Sequence, residues 1–190
     1  MQYRKLIEKR RSVRKFLMGK KPDWRKILQA IDCARFIPSP GNQYNFHFIL
    51  VSDKNLIEQI AQACQQEFVS HGDYVVVCVS DPGALERLYG ERANKYNSQQ
   101  AGAAIENFLL ALTDLGLATT WVGHFYEEMI KRVLEIPDKF TVEAVFPIGL
   151  EAKNISKKTK IKADLENIVY FDKWANIYMK PKNIITSDAA

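Results

Sequence analysis

Three guanidiniums and a hydroxyl stand within five residues at Arg10-Arg11-Ser12-Val13-Arg14. Forked N–H donors at that density suit a phosphate dianion, which arginine grips through two parallel hydrogen bonds. The competing reading is a solvated helix end whose cations complement the C-terminal dipole. Pro38-Ser39-Pro40-Gly41-Asn42-Gln43 is a turn that offers backbone N–H groups and short polar side chains to a ligand. Thr119-Thr120-Trp121-Val122-Gly123 ends a strand where glycine allows close backbone approach, and Pro147-Ile148-Gly149-Leu150-Glu151 is similar in kind. Five lysines and no acid fall between Lys153 and Lys162. Any one of these segments could be an ordinary surface feature, so their meaning depends on how the chain arranges them.

His47, His71 and His124 are the candidate proton donors, and His124, just past the Trp121-Val122-Gly123 strand end, is the best placed. Their spacing suits no metal site. Cys33, Cys64 and Cys78 form neither a CxxC nor a Cys/His pattern, and all three read as core residues.

The elements that must position these residues follow from periodicity. Tyr3, Leu6 and Ile7 give a short helix. Asp23 caps a second, whose face is Trp24, Ile27, Leu28, Ile31 and Ala34. It stops at Pro38 to Gly41, where two prolines and a glycine end the pattern. Residues 46–51 read as a strand, 54–67 as a helix, and 74–79 as an apolar, β-branched strand covered on both faces. A short helix over 84–95 precedes the longest one, over 98–115, with Ala101, Ala104, Ile105, Phe108, Leu109 and Leu112 inward and Gly116 past its end. Strands at 118–122 and 141–149 flank a helix at 126–134, and a helical turn near 164–169 leads to a tail bearing Tyr170, Phe171, Trp174 and Tyr178. Helices and strands intermix, so the chain is a layered α/β or α+β protein.

Composition agrees. With 190 residues and a 47% hydrophobic content the chain can build a substantial core and lies outside the disordered range. No apolar run approaches the roughly 20 residues of a membrane span, and the basic N-terminus lacks the apolar stretch of a signal peptide, so a cytoplasmic location is expected. The net charge of +5 is unevenly spread: residues 1–26 hold eleven Lys/Arg against Glu8 and Asp23. Such a block suits nucleic acid, an anionic cofactor or a solvated face.

In their order, Arg10-Arg-Ser-Val-Arg-Lys-Phe16, Ala34-Arg-Phe-Ile-Pro-Ser-Pro-Gly-Asn42, the Ala-rich helix running into Leu115-Gly-Leu-Ala-Thr-Thr-Trp-Val-Gly123, Pro147-Ile-Gly-Leu-Glu151 and Leu165-Glu-Asn-Ile-Val169 resemble the nitroreductase superfamily, over roughly residues 3–174. The resemblance implies an α+β, three-layer fold with a central, mostly antiparallel sheet flanked by helices. It also implies an intertwined homodimer with FMN at the interface. Residues 1–174 would form one FMN-binding domain, and 175–190 an extension packing on the partner subunit. Arg10, Arg11, Ser12 and Arg14 would bind the FMN phosphate, helped by Lys162 or Lys160, where relatives commonly have arginine and lysine loses the fork. Pro38, Ser39 and Asn42 would meet the flavin from the partner subunit. Trp121, Val122 and Gly123, with Pro147, Ile148 and Gly149, would supply backbone around the isoalloxazine ring, with His124 a candidate contact. Tyr44 and Asn45 stand where relatives often have Gln and Pro, and the 67–98 region is short, which implies a more open pocket.

The implied reaction is hydride transfer from NADH or NADPH to flavin, then to a small-molecule acceptor such as a nitroaromatic or quinone, in a ping-pong scheme. No GxGxxG follows a strand, and none is needed, because one site would serve both partners. Dehalogenation, flavin fragmentation or flavin storage on the same fold are the alternatives. A nucleic-acid-binding module would account for the basic blocks but leaves the small-residue helix without a role.

Overall fold

The sheet is built from Phe46–Val51 (β1), Tyr74–Ser80 (β2), Ala118–Thr119 (β3) and Thr141–Gly149 (β4) in the order β1-β2-β4-β3. The structure, a computed structural model, describes residues 2–153 and 161–179 together with the backbone of 183–184. Every pairing in this sheet is antiparallel, where the family resemblance implies a mostly antiparallel one. β2 lies at the centre and is buried along its whole length, as its unbroken apolar run required.

Six helices accompany it among the described residues: α1 (Tyr3–Lys9), α2 (Trp24–Ala34), α3 (Lys54–Cys64), α4 (Gly83–Tyr89), α5 (Ala93–Asp114) and α6 (Glu127–Leu134). Side chains alternate across a strand, so β2 feeds two cores. Tyr74, Val76 and Cys78 pack with Ile27, Ala30 and Ala34 of α2 and with Ala104, Ile105, Phe108 and Leu112 of α5. Val75, Val77 and Val79 pack with Ile57, Ile60 and Cys64 of α3 and Ile130 of α6. The result is three layers, helices over both faces of one sheet. Asp23 and Asp53 accept from the Arg25 and Leu56 amides, each at 3.0 Å, and so fix where α2 and α3 begin. Gly116, at φ 77°, ends α5 in the left-handed conformation that glycine adopts without strain.

Three expectations need correction. The inward stripe of α2 is Ile27, Ala30 and Ala34, which leaves Trp24 and Leu28 exposed, and Cys33, one position round the helix from Ala34, is exposed too. Cys64 and Cys78 do sit in the core, where burial pushes the Cys64 thiol up to about 12 and the Cys78 thiol well above its usual value. The strand expected over 118–122 breaks after Thr119 and returns only as a single bridge between Val122 and Val145. The register of Thr119 with Ile148 and of Val122 with Val145 sets Thr120 opposite Pro147. Proline has no N–H to donate there, so the ladder fails and Thr120-Trp121 is released from the sheet.

The Asp81-Pro82-Gly83 turn carries a titratable tie. The Lys139 ammonium, 2.9 Å from Asp81, and the Gly83 amide hold the Asp81 carboxyl below the usual carboxylate range. A depressed folded value stabilises the protein at pH above the ordinary carboxylate range, and that contribution disappears as pH falls through the folded value. Asp81→Asn should therefore cost under about 1 kcal/mol at pH 7. The deficit should vanish in acid, as followed by thermal unfolding at pH 7 and pH 3.

Residues 156–190 form a second compact unit. Its described part holds a turn at Leu165–Asn167, a hairpin of β5 (Tyr178–Met179) and β6 (Asn183–Ile184), and an edge-on contact of Tyr170 with Trp174 at 4.9 Å between centroids. Among the described residues no helix is long and apolar enough to cross a membrane.

Candidate anion-binding cleft

The extended segment after α1 is stitched to the far end of the sheet. The Val13 amide donates to the Thr119 carbonyl at 2.8 Å, the Leu17 amide to Leu150 at 2.8 Å, and the Ala152 amide to Lys15 at 3.1 Å. Phe16 bridges Glu151, and its ring lies where a side chain on Gly149 would have to go: a Cβ there would meet Phe16 Cδ1 at 3.0 Å. A side chain at 149 would press on the Phe16 ring, and Val13, Phe16 and Ala118 close a small apolar cluster beneath the segment.

This stitching brings Arg10, Arg11 and Ser12 against Thr119, Thr120 and Trp121, with the C-terminal turns of α5 as the third wall, around a cleft of about 140 Å³. Motifs more than a hundred residues apart in the chain therefore share one site. The two arginines are engaged differently. Arg10 approaches Glu106 of α5 through Nε, at 3.4 Å. Arg11 Nη2 donates to both carboxylate oxygens of Glu151, at 2.6 and 2.5 Å. The Thr119 hydroxyl is buried in the wall of the cleft, with only 6% of the residue exposed, and has no hydrogen-bond partner among the described residues. An orphaned buried hydroxyl is costly unless a ligand or water completes it. Trp121, 43% exposed, rests edge-on against the buried Phe146 at 6.0 Å.

The remaining sequence candidates of the first unit lie elsewhere. The Arg14 guanidinium stands over the Phe68 ring at 5.5 Å and does not line the cleft. Pro147, Ile148 and Gly149 are buried within β4, and Val122 within the core beside α3. Gly123 and His124 are exposed beyond the cleft. Pro38 and Asn42 are exposed on the turn after α2, while the Ser39 hydroxyl is buried there without a partner among the described residues. Lys162 is exposed in the second unit, and Lys160 lies outside the described residues. Among the described residues no three His, Cys, Asp or Glu side chains come together as a metal site.

Sequence reasoning overlooked Glu151 and Thr119 as site residues, although both fall inside motifs it singled out. It also missed the polar support of the Pro38–Asn42 turn. Gln100 of α5, almost wholly buried, accepts from the Asn45 amide at 2.9 Å and donates to the Gln43 carbonyl at 2.5 Å. Asn97, one turn earlier, donates to Ser80 Oγ at 2.7 Å. Gln100→Leu strands both backbone groups, so it should lower unfolding free energy by about 1–3 kcal/mol in urea titration.

An antiparallel sheet sandwiched by helices, with an arginine-rich cleft at its edge, is the architecture of an α+β ligand-binding enzyme. The model of the nitroreductase family matches residues 7–74 and 63–150, and the chain belongs to that family; it is an oxidoreductase. A relative from Archaeoglobus fulgidus, provisionally named an NADH dehydrogenase/NAD(P)H nitroreductase, is 30% identical over 152 residues, covering 76% of this chain and 83% of its own. The crystal structure of a nitroreductase family protein from Clostridium novyi NT superposes with a TM-score of 0.73 at 29% identity, covering 93% of this chain and 96% of that one. An FMN-dependent nitroreductase from Clostridium difficile R20291 superposes with a TM-score of 0.74 at 22% identity over 89% of this chain and 98% of its own, a likeness of fold.

Proposed function

We propose that this chain binds FMN and uses NADH or NADPH to reduce a small acceptor such as a nitroaromatic or quinone. The observation that carries the reading is the cleft itself, lined by Arg10, by the Ser12 segment and by Thr119 with its unpartnered hydroxyl. Those groups fit a phosphate monoester: Arg10 keeps its end-on fork for two oxygens, and the Thr119 hydroxyl can donate to a third or to a polyol chain beside it. Bound flavin would accept hydride from the nicotinamide and hand it to the acceptor at a single site, in ping-pong order. Trp121, lifted from the sheet by Pro147, would wall the aromatic ring system, with Lys162 or Lys160 adding charge and His124 a further candidate contact.

A homodimer belongs to the same proposal. Tyr3, Leu6, Phe36 and Leu110 line an apolar groove between α1, α2 and α5, with Phe36 71% exposed at its rim. Apolar surface of that kind marks a contact site, and a second copy of this chain is the occupant the family reading supplies. The neighbouring turn of Pro38, Ser39 and Asn42 would then meet the partner's flavin, giving the Ser39 hydroxyl a use, and the aromatic tail would pack on the partner. Phe36→Asp is expected to shift sedimentation velocity from dimer toward monomer; an unchanged sedimentation coefficient would remove this face from the interface.

Nucleic acid fits less well, because four of the eleven cations in residues 1–26 already face carboxylates: Arg4 with Glu8, Arg10 with Glu106, Arg11 with Glu151 and Arg25 with Asp23. A cytoplasmic setting accompanies the use of NAD(P)H. The deciding experiment is the absorbance spectrum of purified protein before and after anaerobic NADH or NADPH. Flavin bands that bleach support the oxidoreductase reading. Bands that persist indicate storage or another reductant, and a chain that neither carries nor takes up FMN sinks the proposal.

A further inference from the structure

A guanidinium offers an anion two in-plane forks, Nε with Nη2 along its side and Nη1 with Nη2 at its end, and both contain Nη2. In Arg11 that nitrogen is the one held, donating to both oxygens of Glu151, while Nε and Nη1 have no hydrogen-bond partner among the described residues. Arg11 therefore cannot grip a phosphate bidentately while Glu151 stays in place. Arg10 differs: its contact to Glu106 is through Nε, which leaves the end-on fork open. Glu151 and Arg11 both line the cleft with Ser12 and the unpartnered Thr119 hydroxyl, so the carboxylate sits where an incoming anion would compete for the same donor.

Resting on the phosphate-binding reading of this cleft, we infer that Glu151 is an internal counter-anion that the cofactor phosphate must displace from Arg11. The pair is an exchange latch. Without ligand, the Glu151 carboxylate neutralises Arg11 and ties the Arg11–Phe16 segment to the end of β4. With a phosphate monoester present, Arg11 turns its fork from carboxylate to phosphate, and Glu151, about one-third exposed, is left to water. The price of the latch is affinity: each phosphate bound first breaks an ion pair, so the cleft discriminates against weak anions and admits those that Arg10 and Ser12 can also hold.

The test compares wild type with Glu151→Gln, Arg11→Gln and the double variant. FMN is titrated by quenching of its fluorescence, riboflavin serves as the ligand without phosphate, and inorganic phosphate is titrated by calorimetry, all at one ionic strength. A partly exposed pair is worth up to about 1 kcal/mol, so Glu151→Gln should bind FMN and inorganic phosphate about three- to fivefold more tightly and leave riboflavin unchanged. The gain should vanish in the Arg11→Gln background, whereas a general rise in positive charge would persist there. Unchanged or weaker phosphate and FMN binding by Glu151→Gln overturns the latch and makes Glu151 a residue that holds Arg11 in place for the ligand. If Glu151→Gln fails to fold, Glu151→Asp, whose shorter reach loosens the pair, should show a smaller gain in the same direction, and no gain overturns the inference. Failure of wild type to bind FMN sinks the flavin reading alone, because the phosphate titration still decides the latch, and absence of phosphate binding in every variant overturns it.

Discussion

Arg10→Ala is expected to weaken FMN binding about a hundredfold while leaving the fold intact. Arg10 is the cleft arginine whose end-on fork has no hydrogen-bond partner among the described residues, since it approaches Glu106 through Nε at 3.4 Å. Hydrogen bonds to a charged partner contribute about 1.5–3 kcal/mol each, and losing a two-bond grip on a phosphate dianion corresponds to roughly two orders of magnitude in affinity. Glu106 is half exposed and solvates once abandoned, so unfolding free energy should move by less than about 1 kcal/mol. Arg10→Lys separates charge from geometry. Lysine keeps the positive charge but presents a point donor, so its affinity should fall between the two. Riboflavin binding should be nearly indifferent to both changes. A hundredfold loss that riboflavin shares would mean Arg10 holds the shape of the cleft rather than the phosphate, and unchanged FMN affinity would move the phosphate site elsewhere.

The same residues show what the amino-acid order could and could not reveal. Local patterns were legible: the strands at Phe46–Val51 and Thr141–Gly149 and the Asp23 cap follow from alternation and capping, which need only near neighbours. Errors arose where a distant residue decides. The stripe of α2 was drawn through Trp24 and Leu28 because apolar type alone cannot say which side of a helix meets α5. The strand expected after Ala118 runs three residues too far because the missing donor, Pro147, sits on the partner strand. α5 was started late because its first core-facing residues past Ala93, Asn97 and Gln100, are polar and earn their burial through bonds to Ser80, Gln43 and Asn45. For the cleft, type and spacing pointed to Arg10, Arg11 and Ser12. That Thr119 and Glu151 join them follows from the pairing of the Val13–Leu17 segment with Thr119 and Leu150, a contact across more than a hundred residues that leaves no local trace. One signal was available: a carboxylate at the end of a strand motif in a chain whose opposite end carries an excess of arginine.

Phe108→Ala should produce the largest loss of stability, about 3–5 kcal/mol, because it empties the joint between α5 and the sheet. Phe108 is fully buried, 5.2 Å from the Phe48 ring and 5.5 Å from Phe146, and Phe146 in turn supports Trp121 at 6.0 Å. Three elements and one wall of the cleft therefore share a single ring. Against a typical total of about 5–15 kcal/mol the loss should appear as a clear fall in urea midpoint with little change in slope. Phe108→Leu refills most of the space and should recover more than half of it. The pair of variants also reads the coupling of core to cleft. If Trp121 is held by Phe146 alone, Phe108→Ala measured well below its unfolding midpoint should bind FMN as wild type does. If the cavity lets Phe146 relax inward, Trp121 follows and affinity falls in Ala but not in Leu. A loss below about 1 kcal/mol in the alanine variant would mean that α5 closes onto the sheet without the ring, and the close packing assigned to this joint would be wrong.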